Sequence, residues 1–422
     1  MRRTSAAARL RAAIGEPSAR LTLLVIVVGA IGGLVGAAYV AVLKLFERVL
    51  WPTHTSTAAH LGVMVTVGAA VCILARVLGS PGDVELLVDN IHISGGTDDL
   101  HDMKSLLPIS LLCVASGGGM GPEAPLVQTT GSIGSWLARR WNVEVADTRI
   151  LTITGMAAGF TVLFGAPVGS AVFALEILHR RGLEYYEAFL PAVIGSLSGY
   201  VVNLAVSHLA ITSIWKFPPI GAVGATQLGW GVACGAVGAV VALAFTYTTR
   251  SLQWAISRVP AGVRPLIGGL ALGLLAFWSP YSLTFGEAQI STVLVTRAAA
   301  ATFIVAMLAK FCGTITTLAT GWRGGFIIPL FFMGVALGRF GHALLPHTNQ
   351  VVLMAALMAA TNCGVTKTPV GSALVVSEMA GLRLLPPVFV ASIVSLLLTS
   401  NVGLIHSQRE REPKPPRLPS LY

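Results

Sequence analysis

Apolar stretches long enough to cross a bilayer recur along this chain, and they decide its solvent. Leu21 to Phe46, Ala59 to Leu78, Gln227 to Tyr247 and Ala298 to Ala319 each reach the ~20 residues a helix needs to span about 30 Å of hydrocarbon. Lipid offers no partner to a backbone N–H or C=O, so runs of this kind fold as helices. With 54% apolar and 11% charged residues over 422 positions, and a mean hydropathy of +0.77, the chain lies far from soluble composition. Leu106 to Met120 and Phe326 to Leu337 are shorter and bounded by Gly or Pro. They predict helices that start or stop inside the membrane. The expected fold is therefore an all-α polytopic membrane protein.

The net charge of +10 sits mainly at the ends, in Arg2, Arg3, Arg9, Arg11 and Arg20, then Arg409, Arg411, Lys414 and Arg417. That distribution argues against nucleic acid as a partner and predicts two cytoplasmic termini, hence an even number of crossings of an inner or plasma membrane. The first apolar run is too long for a signal peptide and is expected to be retained. Residues 1–20 form a basic N-terminus, 21–405 a single transport domain and 406–422 a short tail. The five cysteines lie in apolar runs without metal-type spacing, which implies neither disulfides nor thiol chemistry. The 46 glycines suit close helix packing in lipid.

The chain repeats itself. Ala166-Pro167-Val168-Gly169-Ser170-Ala171 returns as Thr368-Pro369-Val370-Gly371-Ser372-Ala373, and a glutamate follows each at the same offset, Glu176 and Glu378. Upstream of each stands a Gly-x-x-x-Pro element, Gly121-Pro122-Glu123-Ala124-Pro125 and Gly325-Phe326-Ile327-Ile328-Pro329. Pro125 to Pro167 is 42 residues and Pro329 to Pro369 is 40. Two structurally repeated halves, about 50–215 and 225–400 and expected to be inverted, would bring broken helices together at mid-membrane.

A helix that begins inside the membrane presents unpaired N–H groups and the positive end of its dipole, a natural anion site. Gly121 suits a flexible cap and Pro122 the first helical position. Glu123, an acid among Gly, Ala, Met and Pro, is the exceptional residue, because intramembrane acids are costly and usually functional. At a helix start its carboxylate can occupy the anion site, and protonation or a competing anion would release it. Glu176 and Glu378, matched in the repeat, suit a shared role in binding backbone at helix ends. The segment from His92 to Asp102 is polar and His- and Asp-rich, and fits a loop better than a metal site. Trp51, Tyr185 and Tyr186 are expected to be interfacial anchors.

These elements resemble the CLC family of chloride channels and proton-coupled chloride transporters over most of the chain. Gly121-Pro122-Glu123-Ala124-Pro125 is similar to its Gly-Arg/Lys-Glu-Gly-Pro element, Gly325 to Pro329 to its Gly-x-Phe-x-Pro element, and Gly165-Ala166-Pro167 to Glu176 to its Asn-Ala-Pro helix. The resemblance implies Glu123 as gate and proton carrier. It implies anion contacts from Ser80, Pro81, Gly82, Ala124, Phe326, Ile327 and His406, the last at the family's inner tyrosine. It implies a homodimer that exchanges chloride for protons without a cofactor. A passive channel, or a preference for nitrate or fluoride, is the alternative. Ile177 stands where coupled transporters carry an inner glutamate, and Pro122 replaces the basic residue beside the gate. An enzyme would need a nucleophile or metal constellation that the sequence does not assemble.

Overall fold

The computed structural model describes residues 19–51, 56–79, 88–89, 91–92, 96, 103–180, 184–208 and 214–408. The first half supplies α1 (Ala19–Leu50), α2 (Thr57–Leu78), α3 (Met103–Ala115), α4 (Glu123–Arg140), α5 (Val145–Phe164), α6 (Pro167–Glu176) and α7 (Phe189–Ser207). The second supplies α8 (Ala225–Ile256), α9 (Arg264–Trp278), α10 (Glu287–Val295), α11 (Ala300–Ala319) and α12 (Ile327–Leu344). It ends with α13 (Gln350–Thr366), α14 (Pro369–Ala380) and α15 (Leu385–Thr399). Among the described residues, eight helical stretches are long and apolar enough to cross a membrane, and four apolar helices are shorter. The four long runs seen in the sequence fall on α1, α2, α8 and α11.

Side chains sort the helices into an outer and an inner layer. On α2 and α8, Val77 and Val240 are 75% and 67% exposed, as lipid-facing residues should be. On α13 every residue after Gln350 is buried, so this helix is apolar all round because it is the centre of the bundle. Helices α4, α5 and α12 share that interior.

The two halves meet through reciprocal contacts. Helices α6 and α14 pack together, and each carries the glutamate that holds the other's first turn. Glu176 accepts from the N–H groups of Val370 at 3.2 Å and Gly371 at 2.7 Å, while Glu378 accepts from that of Gly169 at 3.0 Å. The fit requires glycine: a Cβ on Gly169 would lie 2.5 Å from the Val375 nitrogen, and one on Gly371 would lie 2.6 Å from the Phe173 Cα. The repeated Pro-x-Gly-Ser-Ala sequence thus encodes a helix start, with Pro at the first position, and a close crossing. The expected role of Glu176 and Glu378 at helix ends is observed.

Of the three expected interfacial anchors, Tyr186 alone is exposed, at 71%. Tyr185 is a correction. It is 2% exposed, its hydroxyl bonds His92 Nδ1 at 3.1 Å, and the Arg149 guanidinium lies 4.7 Å from its ring centroid. His179 completes this cluster, 5.1 Å from both the Tyr185 and His92 rings. Trp51 is half-buried and donates to the Ala115 carbonyl at 2.9 Å. Asp98, Asp99, His101 and Asp102 lie outside the described residues.

Candidate anion site between two broken helices

Helices α4 and α12 both start inside the molecule, one from each half. Their leading segments pair as an antiparallel bridge between Gly121 and Gly325. Each glycine donates its N–H to the other's carbonyl at 2.6 Å. Among the described residues this is the one β-bridge in an otherwise helical protein, and it fixes the two helix starts side by side. The expected cap therefore shifts by one residue. Gly121 is taken up by the bridge, Pro122 is the N-cap and Glu123 is the first helical residue. In the second half Phe326 caps and Ile327 leads.

The loop that carries Gly121 is held from the other half. Gly119 donates to Thr317 Oγ1 at 2.9 Å and accepts from Thr314 Oγ1 at 2.9 Å. Thr284 donates its backbone N–H to the Gly117 carbonyl at 2.7 Å. Lys310, fully buried on α11, donates to the carbonyls of Leu283 and Thr284 at 2.8 and 2.6 Å. A buried lysine nitrogen that donates to both carbonyls fixes that turn and so the bridge behind it.

Glu123 is fully buried. Its Oε1 accepts the backbone N–H of Ile328 at 2.5 Å, across the interface on the first turn of α12. Its Oε2 has no hydrogen-bond partner among the described residues. A carboxylate from one broken helix therefore sits on the unpaired amides that open the other, where positive dipole favours an anion. Ile328 was not singled out in the sequence, because any residue's N–H can serve and its side chain gives no signal.

Ala124, Phe326 and Ile327 come together with Ile177 and Ile405 around a cavity of about 30 Å³. Ala124 and Phe326 also border a second cavity, of about 240 Å³, which His406 lines. His406 is exposed. The segment that bears it is tied down by Gln408, whose Nε2 donates to the carbonyls of Ile177 at 2.9 Å and Thr366 at 2.7 Å. Arg180 and Arg250 hold the same segment through the carbonyls of Asn401 and Gly403. Ser80, Pro81 and Gly82 lie outside the described residues.

Comparison with known proteins bears on the fold and the family. Residues 99–400 match the family described as voltage gated chloride channel. A chloride/fluoride channel protein of Pseudomonas syringae pv. tomato is 28% identical over 362 residues, which cover 81% of this chain and 76% of that one. In fold, the chain superposes on a CLC-type fluoride/proton antiporter with a TM-score of 0.79, at 21% identity, covering 96% of this chain and 99% of that one. A slow cyanobacterial Cl−/H+ antiporter gives 0.77, at 19% identity, over 92% of this chain and 96% of that one. Eight membrane-length helices, two broken helices joined at their starts and a family match over most of the length lead to one conclusion: the chain belongs to the CLC family of voltage-gated chloride channels and anion transporters.

Proposed function

We propose that this protein exchanges a small inorganic anion, chloride first among them, for protons, with Glu123 as both gate and proton carrier. The observation that carries the reading is the hydrogen bond from Ile328 N–H to Glu123 Oε1 at 2.5 Å in a fully buried setting. In this position the side chain does what an incoming anion would do. Protonation at Oε2, the oxygen without a partner, neutralises the carboxylate and weakens its hold on the α12 amide. The neutral side chain swings away and an anion takes the vacated N–H groups, beside Ala124, Phe326 and Ile327. On the return, the acid gives up its proton to the other side, and the carboxylate so formed displaces the anion from the N–H groups. His406, which lines the larger cavity, is the inner anion contact in this reading, and the family resemblance adds Ser80, Pro81 and Gly82 as further anion contacts. Two copies form a homodimer with one pathway each, and both termini face the cytoplasm.

A passive channel is the second reading, and Ile177 favours it. Its apolar side chain lines the small cavity next to Ala124 and Ile327, where it relays no proton. Proteoliposomes with an imposed chloride gradient and internal pH recording separate the two. Exchange predicts uphill proton movement in the wild type and none in Glu123→Gln. Chloride flux without proton movement in the wild type removes the exchange reading.

A further inference from the structure

A separate charged feature lies at the far end of α12. Arg339 and His342 stand in its last turns, Arg297 on the connection from α10 to α11 and Gln350 at the start of α13, and the four line a cavity of about 350 Å³. Arg339 follows Ile327 by 12 residues, which puts it roughly 18 Å along the helix from the start that faces Glu123. No residue that lines this cavity lines either of the two beside the helix starts. The groove therefore lies off the proposed path of the anion.

Arg297, Arg339 and His342 are basic, and no acid occurs among the residues that line the groove. Neutral groups hold Arg339. It donates through Nη1 to Gln350 Oε1 at 2.5 Å and through Nη2 to the Thr296 carbonyl, and its guanidinium carbon stands 4.9 Å from the Phe303 ring centroid. Its buried Nε has no hydrogen-bond partner among the described residues. These contacts orient the charge without neutralising it. Arg297 is exposed, and no described carboxylate pairs with it. Two guanidinium groups thus share one groove with nothing negative between them, a like-charge arrangement that an anion relieves.

The rim says which anion fits. Val295, 72% exposed, leads into Thr296 and Arg297, while Leu344 and Leu345, 58% and 47% exposed, follow His342. Exposed apolar side chains beside cations at helix ends mark the level where acyl chains meet headgroups. A soluble anion would use the cations and leave the apolar rim against water. A phospholipid uses both, with its phosphate on the planar donor forks and its chains over the rim. Because the lining offers no carboxylate to receive a choline or ethanolamine cation, the groove favours a lipid of net negative charge. We propose that this groove binds the headgroup phosphate of an anionic phospholipid, such as phosphatidylglycerol, between Arg297 and Arg339. A lipid so held bridges the α10–α11 connection and the end of α12.

The test is native mass spectrometry of the purified full-length protein in detergent, with phosphatidylglycerol or phosphatidylcholine added at equal concentration. The wild type is expected to retain phosphatidylglycerol in preference. Arg297→Gln is expected to weaken that retention about fivefold, Arg297→Glu to abolish the preference, and Arg297→Lys, which keeps the charge, to preserve most of it. Arg383→Gln removes an exposed arginine at another helix end and is expected to leave retention at the wild-type level. Equal retention of the two lipids by the wild type would overturn the site, as would unchanged retention in both Arg297→Gln and Arg297→Glu. An equal fall in Arg383→Gln and Arg297→Gln would reduce the effect to net charge, and an equal fall in Arg297→Lys and Arg297→Gln would make Arg297 a packing residue; either overturns it. Displacement of the lipid by an equal concentration of soluble glycerol phosphate would make free phosphate the ligand and overturn the lipid.

Discussion

The protein builds the same device twice, an acid set on the first turn of a helix from the other half, and the two versions differ in one respect. Between α6 and α14 the device is reciprocal. Each half contributes a glutamate, Glu176 or Glu378, and both oxygens of the buried Glu176 find amides. Between α4 and α12 it is one-sided. Glu123 stands two residues after its bridging glycine, where the second half has Ile327, and one of its oxygens has no partner among the described residues. A saturated, symmetric arrangement has nothing to gain by moving. A half-satisfied buried carboxylate has a proton to gain, and that contrast separates a fastener from the proposed gate.

The largest expected effect comes from making the one-sided device inert. In Glu123→Gln, proton movement coupled to chloride should vanish, and the rise of wild-type flux with falling pH should flatten. The sign follows from the proposed mechanism, in which acid protonates the gate and releases it. Vesicle flux recorded between pH 4.5 and about 7.5 checks both. If the pH dependence survived in Glu123→Gln, the comparison would fail, because the titrating group would lie elsewhere.

Next in size is damage to the saturated device. Glu176→Ala leaves two buried N–H groups unpaired, with an expected loss of roughly 3 kcal/mol of stability and little effect on coupling in whatever protein remains folded. Thermal unfolding in detergent reads the first and vesicle flux the second. Glu176→Gln, which can still accept, should lose about half as much.

Crowding the gate gives a smaller and opposite effect. A Cβ on Gly325 would lie 2.6 Å from Glu123 Oε2 and 2.8 Å from the Ala124 nitrogen. In Gly325→Ala the carboxylate is pushed off its seat, so flux near neutral pH should rise several-fold relative to flux in acid. The smallest effect belongs outside both devices. Tyr185→Phe removes one hydroxyl bond to His92 and should lower stability by about 1 kcal/mol without touching ion selectivity.

Much of this was legible along the chain, for physical reasons that differ from element to element. Span-forming runs such as Leu21 to Phe46 announce themselves because lipid tolerates little else. The Pro-Val-Gly-Ser-Ala repeat was visible because a helix start and a close crossing each demand particular residues. Glu123 stood out as an acid among apolar neighbours. Other features left no trace. The Gly121–Gly325 bridge joins residues 204 apart through backbone atoms that all residues possess. The Ile328 amide is silent for the same reason. Tyr185 misled because an aromatic residue beside polar neighbours suits a membrane interface, and only folding shows His92 and Arg149 closing over it.

The bridge between the two broken helices also bears on how the molecule can work. Two backbone hydrogen bonds, at the proposed anion site, stitch the two helix starts together. Around such a seam, one half rocking against the other would have to tear the stitch or pivot on it. On the proposed mechanism, motion that serves transport is then confined to side chains beside the seam, Glu123 first among them. The moving part that this reading proposes weighs tens of daltons rather than tens of kilodaltons, and its stroke is the length of a glutamate.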